Sequence, residues 1–292
     1  MTGRILLTGA TGSLGRRVYE RAASAGWLVV GTYFAQRAET GDEQLDVRDP
    51  AAVRRIIERV RPDVLIHAAS GRDRDDWRTT ADGAAYVAVA ATAAGVRLVH
   101  VSSDAVFSGR DVYYDEDALP DPVNRYGAAK AAAETAVRAV APDAAVVRTS
   151  LILGDGRGGH ELLTHGLVSG RLRGALFTDE IRTPVHVDDL ADALLELAGN
   201  GYRGVLNVAG ADAVSRYDLG VLVALRDGLD PAAVPAARLA DFGVARPGDV
   251  RLRLDRAVSL LRTRLRGARE FLAAGPGPDA ARASANRGGD GS

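Results

Sequence analysis

The chain has 292 residues, 47% hydrophobic and 26% charged, with 37 basic residues against 38 acidic ones and a formal net charge of −1. That length suits one large domain or two modest ones with a substantial core, and the ordinary composition excludes a collagenous, coiled-coil or wholly disordered chain. The charge balance leaves no electrostatic footprint for nucleic acid or an anionic membrane, and without cysteine there is no disulfide framework, thiolate zinc site or cysteine nucleophile.

The predicted elements alternate from the start. Arg4–Thr8 (RILLT) reads as a buried strand that runs through glycines into a helix over 14–25. WLVVGTY at 27–33 is a second strand, followed by a helix over Pro50–Val60 that Pro62 closes. DVLIH at 63–67 is a third strand, 79–94 a helix, and RLVHVS at 97–102 a fourth strand. A polar loop with Pro120 and Pro122 leads to a helix over 124–140 and a strand at 144–149. Continuous apolar strands separated by helices predict a parallel sheet covered on both faces.

After Leu153 the rhythm loosens. GDGRGG at 154–159 reads as a loop, 161–168 as a short helix, 184–187 as strand-like and 188–197 as a helix whose acidic start suits the dipole. Residues 205–208 can return to the main sheet, and 217–229, 254–261 and 268–272 read as helical. The predicted fold is α/β: a Rossmann-type doubly wound sheet over 1–153, a smaller substrate-binding lobe over 154–274, and a disordered tail over 275–292. Segments near 184–210 rejoin the first lobe. No apolar run approaches the roughly 18 residues of a membrane span, and the apolar stretch near Met1 is too short for a signal peptide. The chain reads as soluble and cytoplasmic.

Strand one ends in Thr8-Gly9-Ala10-Thr11-Gly12-Ser13-Leu14-Gly15, a G-x-x-G-x-x-G that opens a helix. Between a strand and a helix such a loop lets backbone N–H groups approach a pyrophosphate at the helix N-terminus. An acid at the end of strand two would favour NAD; here the chain reads Tyr33-Phe34-Ala35-Gln36-Arg37, and Arg37 suits the 2′-phosphate of NADP. A solvated arginine is the alternative. Asp46 and Val47 are placed to contact adenine, and Ala68 and Ala69 are small enough for a dinucleotide to lie across them.

Of the 37 basic residues only Lys130 is lysine. It closes Tyr126-Gly127-Ala128-Ala129-Lys130, a Y-x-x-x-K whose two side chains share one helix face. An ammonium beside a tyrosine favours the phenolate and brings its pKa of about 10 toward the working range. Ser102 and Ser103 end strand four, where a hydroxyl can hold a carbonyl. The competing reading is an exposed Tyr and Lys on an ordinary amphipathic helix.

Over residues 1 to about 274 the chain resembles the extended short-chain dehydrogenases/reductases, and within them the dTDP-4-dehydrorhamnose reductase family. GATGSLG, VSSDAVFSG, NRYGAAK, VVRTSLILG, RTPVHVDDLADA and RPGDVRLRLDRA carry the resemblance, in the family's order. It implies Ser103, Tyr126 and Lys130 as catalytic residues that take hydride from NADP(H) to a carbonyl. It implies cofactor contacts from Gly9, Thr11, Gly12, Ser13, Leu14, Tyr33, Arg37, Asp46, Val47, Ala68, Ala69, Tyr126, Lys130 and Thr149. On the substrate side it implies Ser70, Asp104, Ala105 and Leu151, with Arg182 and Arg246 gripping a diphosphate.

Three positions depart from the family pattern. Ala105 stands where a tyrosine is usual, Leu151 where an aromatic is frequent, and Thr80 where an asparagine often acts, with Asp82 nearby. His186, Asp188 and Asp189 read as strand–helix junction residues, and His160 and His165 lack a carboxylate at metal-ligand spacing, so no metal is expected. The expected partner is a small molecule, a nucleotide sugar, with a homodimer left open. Two alternatives remain: reduction of a smaller ketone or imine, and a non-catalytic NADP-binding regulatory role, since relatives of the family partner with methionine adenosyltransferase.

Overall fold

A computed structural model describes residues 3–273, apart from Arg72, Arg74 and Val244. The expected disorder of 275–292 lies outside the described residues. The chain begins β1 (Arg4–Thr8), α1 (Ser13–Ser24), β2 (Leu28–Tyr33), β3 (Glu43–Gln44), α2 (Pro50–Val60) and β4 (Val64–His67). A π-helical turn (Arg78–Asp82) enters α3 (Gly83–Ala93), followed by β5 (Arg97–Val101), a 3₁₀ turn (Asp104–Val106), β6 (Val112–Tyr114), α4 (Arg125–Val140) and β7 (Ala145–Arg148). Next are β8 (Ile152–Leu153), α5 (Gly159–Val168), β9 (Leu176–Phe177), β10 (Ile181–Arg182), β11 (Val185–His186), α6 (Val187–Gly199) and β12 (Gly204–Asn207). The described chain closes with β13 (Val214–Ser215), α7 (Arg216–Arg226), β14 (Ala236–Ala237), β15 (Val250–Leu252), α8 (Asp255–Leu260) and α9 (Ala268–Ala273).

Seven strands form one sheet in the order β12-β7-β5-β4-β1-β2-β3, every pair parallel. Successive strand residues bury themselves on opposite faces. Ile5, Leu7, Ile66, Val99 and Val147 pack against Leu14 and Val18 of α1 and Leu190 and Leu194 of α6. Leu6, Leu65, Leu98 and Val146 pack against Val53 and Ile56 of α2, Val87 and Ala88 of α3 and Val137 of α4. Both faces are covered by helices, which is why these strands read as largely apolar runs. The strand order reverses beside β1, and open α/β sheets bind ligands in the crevice at such a point.

Helix ends follow local chemistry. Asp49 caps α2 by accepting from Ala51 N, with Pro50 at the first helical position, and left-handed Arg61 (φ 50°) stops it. His186 caps α6: its Nδ1 accepts from Asp188 N at 3.1 Å, in line with the junction role read from the sequence. Asp188 and Asp192 on α6 then pair with Arg17 and Arg21 on α1, clamping the two helices of one face. β12 joins β7 in parallel, so the segment read at 205–208 does return to the sheet. The helix expected over 79–94 begins instead with the π turn, where the Asp76 carboxylate accepts from both N and Oγ1 of Thr79. Beyond the sheet, α5, α7 and α9 enclose two smaller apolar clusters around Leu219, Val223 and Phe271 and around Leu167 and Leu176.

Candidate active site

The loop after β1 assigns its three glycines different work. At Gly9 (φ +75°) a Cβ would lie 2.8 Å from Ala69 Cα, and at Gly15 it would lie 2.0 Å from Gly9 O, so these two allow the loop to pack on β4 and α1 to start tightly. Gly12 meets nothing closer than 3.4 Å. It is also the N-cap of α1 and provides no side chain for the first-turn N–H groups, an arrangement suited to an anion. Above the loop lies a cleft of about 490 Å³ lined by Gly9, Thr11, Gly12, Tyr33, Asp46, Val47, Ala68, Ala69 and Ser70, nine of the residues singled out in the sequence.

Phe34, Arg48, Asp76 and Thr79 also line the cleft, and the sequence reading missed them. Arg48 holds Asp46 bidentately (2.8 Å to each carboxylate oxygen) and lies 4.8 Å over the Phe34 ring. Its place two residues after Asp46 was the available signal. Arg37 is not among the lining residues; it is exposed and its Nε donates to Gly41 O at 3.3 Å. Ser13 Oγ donates to Asp155 Oδ2 (3.1 Å) rather than into the cleft, and Leu14 sits in the core. Thr149 is buried beside Asp104, its carbonyl accepting from Asp104 N at 2.7 Å.

At the carboxyl end of β5, Ser103 caps the 3₁₀ turn, its Oγ accepting from Ala105 N and lying 3.3 Å from Asp104 Oδ1. Asn124 caps α4, accepting from Gly127 N at 2.8 Å, and this places Tyr126 in the first turn. A Cβ on Gly127 would fall 2.0 Å from Ala105 O. Only glycine lets the tyrosine's turn press against the turn that carries Ser103. Lys130, one turn on, is buried, and its Nζ donates to Val101 O at 3.1 Å. The turn of α4 that carries Tyr126 and the Lys130 side chain therefore both pack at the strand end that carries Ser103.

Below these residues Thr8, His67 and His100 form a polar row at matching register positions on β1, β4 and β5, and two residues beyond its continuation at Val146 on β7, Arg148 pairs in register with Asn207 on β12. The His67 and His100 rings stack with centroids 5.3 Å apart; His67 Nδ1 is 2.7 Å from Thr8 Oγ1, but His67 Nε2 and both His100 nitrogens have no partner. Burial pushes His67 down to about 3, and His100 also well below the ordinary histidine value, with the Lys130 charge acting the same way. Burial likewise pushes Lys130 down to about 8, opposed by the Glu134 carboxylate.

These imidazoles are thus neutral in the folded protein. Above pH 6.5 neither state holds their protons; below it the unfolded chain takes up protons that the fold excludes. Stability is expected to fall as the pH drops from about 6.5, by up to about 1.4 kcal/mol per pH unit for each such histidine. Urea unfolding at pH 7 and pH 5.5 measures it, and an unchanged midpoint would mean the rings protonate in place.

On the far side of Ser103, Asp104 is buried and its carboxyl is raised by burial, with Arg182 and Ser150 opposing. Ser150 Oγ donates to it at 2.6 Å. The expectation for Arg182 is corrected here. It is buried, and its guanidinium donates to the carbonyls of Ile181, Pro247 and Gly248 and to Glu180, 3.7 Å from Asp104. A side chain spent on internal carbonyls cannot grip a diphosphate. Arg246 stays part-exposed, paired with Glu180 and 5.4 Å over Phe177. Leu151 is half-buried against the cluster around Leu153, and Ala105 half-buried beside Gly127. Thr80 is buried, its Oγ1 accepting from Gly71 N at 3.2 Å, so it fixes the loop after β4.

His160 is buried, and His165 pairs with Asp227 at 2.7 Å. Among the described residues no group of three His, Asp or Glu side chains is placed to hold a metal ion, and no helix is long and apolar enough to cross a membrane. A wider, shallower groove of about 1040 Å³ runs along α1 and α6 past Arg21, Trp27 and Asp192, and collects none of the site residues read from the sequence.

The RmlD substrate binding domain model matches residues 3–274. A dTDP-4-dehydrorhamnose reductase of Mycobacterium tuberculosis is 34% identical over 256 residues, 82% of this chain and 80% of the relative. Methionine adenosyltransferase 2 subunit beta of Rattus norvegicus is 31% identical over 242 residues, 76% of this chain and 71% of the relative. The crystal structure of dTDP-4-dehydrorhamnose reductase from Bacillus anthracis in complex with NADP is similar with a TM-score of 0.81 and 26% identity, covering 94% of this chain and 98% of that one.

Proposed function

This chain belongs to the RmlD substrate binding domain family, and we propose on that premise that it is an NADPH-dependent reductase of a carbonyl, the 4-keto group of a nucleotide-linked 6-deoxysugar. The observations that support the reading are that Gly127 packs the first turn of α4, which holds Tyr126, against the turn capped by Ser103, and that buried Lys130 reaches the Val101 carbonyl at the same strand end. Both named reductases among the similar proteins support it.

In this reading the bound nicotinamide supplies hydride to the carbonyl carbon. Ser103 holds the carbonyl oxygen and Tyr126 delivers the proton to it. Lys130, as an ammonium, favours the tyrosinate that remains and donates a hydrogen bond toward the cofactor ribose. Gly9, Thr11 and Gly12 would hold the pyrophosphate, and Asp46, Val47, Phe34 and Arg48 the adenine end. Asp104 lies on the sugar side, and Arg246, with part of its guanidinium exposed, is the arginine left for the diphosphate. The same reading makes the chain an extended short-chain dehydrogenase/reductase of the cytoplasm, with residues 1–153 supplying most of the nucleotide lobe and 154–274 most of the substrate lobe.

Charge accounting separates the two arginines of the adenine end. Arg48 is neutralised by its two-pronged contact with Asp46, whereas Arg37 holds only one carbonyl. Of these two, Arg37 is the one whose charge is left for a 2′-phosphate, and Arg48 is a wall. NADPH is expected to bind at least about tenfold more tightly than NADH, a charge-assisted hydrogen bond contributing about 1.5–3 kcal/mol. Fluorescence titration checks this: Arg37→Ala should close the gap, and Arg48→Ala should weaken both cofactors alike. Equal affinities in the parent protein would remove the claim for NADP.

The similarity to a methionine adenosyltransferase subunit keeps a regulatory reading in view, and one assay separates the two. NADPH oxidation measured against a panel of nucleotide 4-keto-6-deoxysugars, small ketones and imines should show turnover with the nucleotide sugars. A protein that binds NADPH but turns over none of the panel is not this reductase.

A further inference from the structure

Tyr126, Lys130 and Glu134 are spaced four residues apart on α4 and line one face of it. Glu134 is 1% exposed, and a carboxylate so deep needs its charge matched. Arg148 from β7 supplies the match, with Nε 3.1 and 3.2 Å and Nη2 2.9 Å from the two carboxylate oxygens. Ser102, the neighbour of Ser103, donates its Oγ to Glu134 Oε1 at 2.6 Å. Arg148 is fixed in turn: its Nη1 donates to the carbonyls of Glu116 and Ala118, and its guanidinium lies 4.9 Å over the Phe107 ring. Neither Glu134 nor Arg148 has room to rotate.

We infer that Glu134, clamped by Arg148 and Ser102, is a positioning residue that keeps Lys130 an ammonium without binding it. Lys130 is buried, where desolvation favours the neutral amine, and its protein hydrogen bond is to Val101 O. The rings facing it from β4 and β5, His67 and His100, are uncharged, as argued above. The other charged side chains on elements packed against α4 are Arg78 and Asp82 on the π turn, Asp104 on the 3₁₀ turn and Arg148 on β7; the charge that acts on the ammonium is that of Glu134. Yet Lys130 and Glu134 form no direct ion pair: the donors of Arg148 and Ser102 hold the carboxylate back. A carboxylate free to turn would close onto the ammonium and occupy the N–H groups that the site needs. Held at a distance, it stabilises the charge and leaves the donors available.

The inference rests on Lys130 serving the reduction proposed above, but its main readout does not. Because Lys130 is the only lysine in the chain, protein grown on lysine labelled with carbon-13 at Cε shows a single lysine signal, whose shift with pH reports one ammonium. The midpoint is expected near 8 in the parent protein. In Glu134→Gln it should fall by about one pH unit or more, the size of effect a nearby opposite charge exerts. The basic limb of the turnover–pH profile should move down with it, which loss of packing alone would not produce. Should that variant fail to fold, the pair Glu134→Gln with Arg148→Met removes both buried charges, and its midpoint should fall in the same direction by less. A midpoint unmoved in a folded variant overturns the inference. A shifted lysine signal in a protein without reductase turnover supports the inference and overturns the reading of the reaction instead.

Discussion

Replacing Lys130 by arginine is expected to lower turnover at least about a hundredfold in a protein that still folds, the cost that a misplacement near 1 Å carries at a reacting centre. Lys130 is 4% exposed, reaches a single carbonyl, and lies close enough to the neutral His67–His100 stack for its charge to act on both rings. A planar guanidinium with five donors needs more width and more acceptors than this pocket has. It would either press on the histidines or ride up toward Tyr126 and the cofactor ribose. Since arginine keeps the positive charge, a role confined to electrostatics would survive the change with a modest loss, and the hundredfold measures position. The assay is steady-state NADPH oxidation, with circular dichroism for the fold and Tyr126→Phe as the reference for lost proton transfer. Near-normal turnover would mean that a chain written otherwise in arginine kept this lysine by chance.

Arg148→Ala should destabilise the fold by about 3–5 kcal/mol, the usual result of removing one partner of a buried pair. Glu134 would keep Ser102 but lose its counter-charge, and the carbonyls of Glu116 and Ala118 would lose their donor. Replacing both partners, as in Glu134→Gln with Arg148→Met, should cost less than Arg148→Ala alone, because no buried charge is stranded. Urea unfolding of the two variants gives the comparison. A loss under 1 kcal/mol in Arg148→Ala would show that water reaches Glu134.

What the sequence revealed, it revealed through local pattern. RILLT, DVLIH and RLVHVS are apolar over most of their inner positions because α1 and α6 cover one face of the sheet and α2, α3 and α4 the other. The glycine spacing at 9, 12 and 15 carried its own geometry, and Y-x-x-x-K placed two side chains on one turn. What stayed hidden depends on distant partners. Arg182 looked available in RTP, but the carbonyls that consume it belong to Pro247 and Gly248, more than sixty residues on. Arg48 went unnoticed because its place in the cleft wall depends on stacking over Phe34, which lies across the turn after β2. The two-residue strands β8 to β11 are too short to carry a period, and the π turn at Arg78–Asp82 differs from an α-helical start by one hydrogen-bond register.

The return of β12 to the edge of the sheet has a consequence for anyone who would isolate the nucleotide-binding half. A fragment cut after Leu153 would end with β7 unpaired along its outer side, since Gly204–Asn207 makes the ladder there. It would also lack α6, which covers Val99, Val147 and their neighbours and is pinned to α1 by Arg17 and Arg21. Arg97 on β5 would lose the carbonyls of Leu197 and Tyr202. A bare parallel edge beside an uncovered apolar face is a template for adding another strand from another molecule. Such a fragment would associate with itself before it bound a nucleotide. The smallest self-sufficient piece has to run through Asn207, and so must carry α5 and the strands around it as passengers.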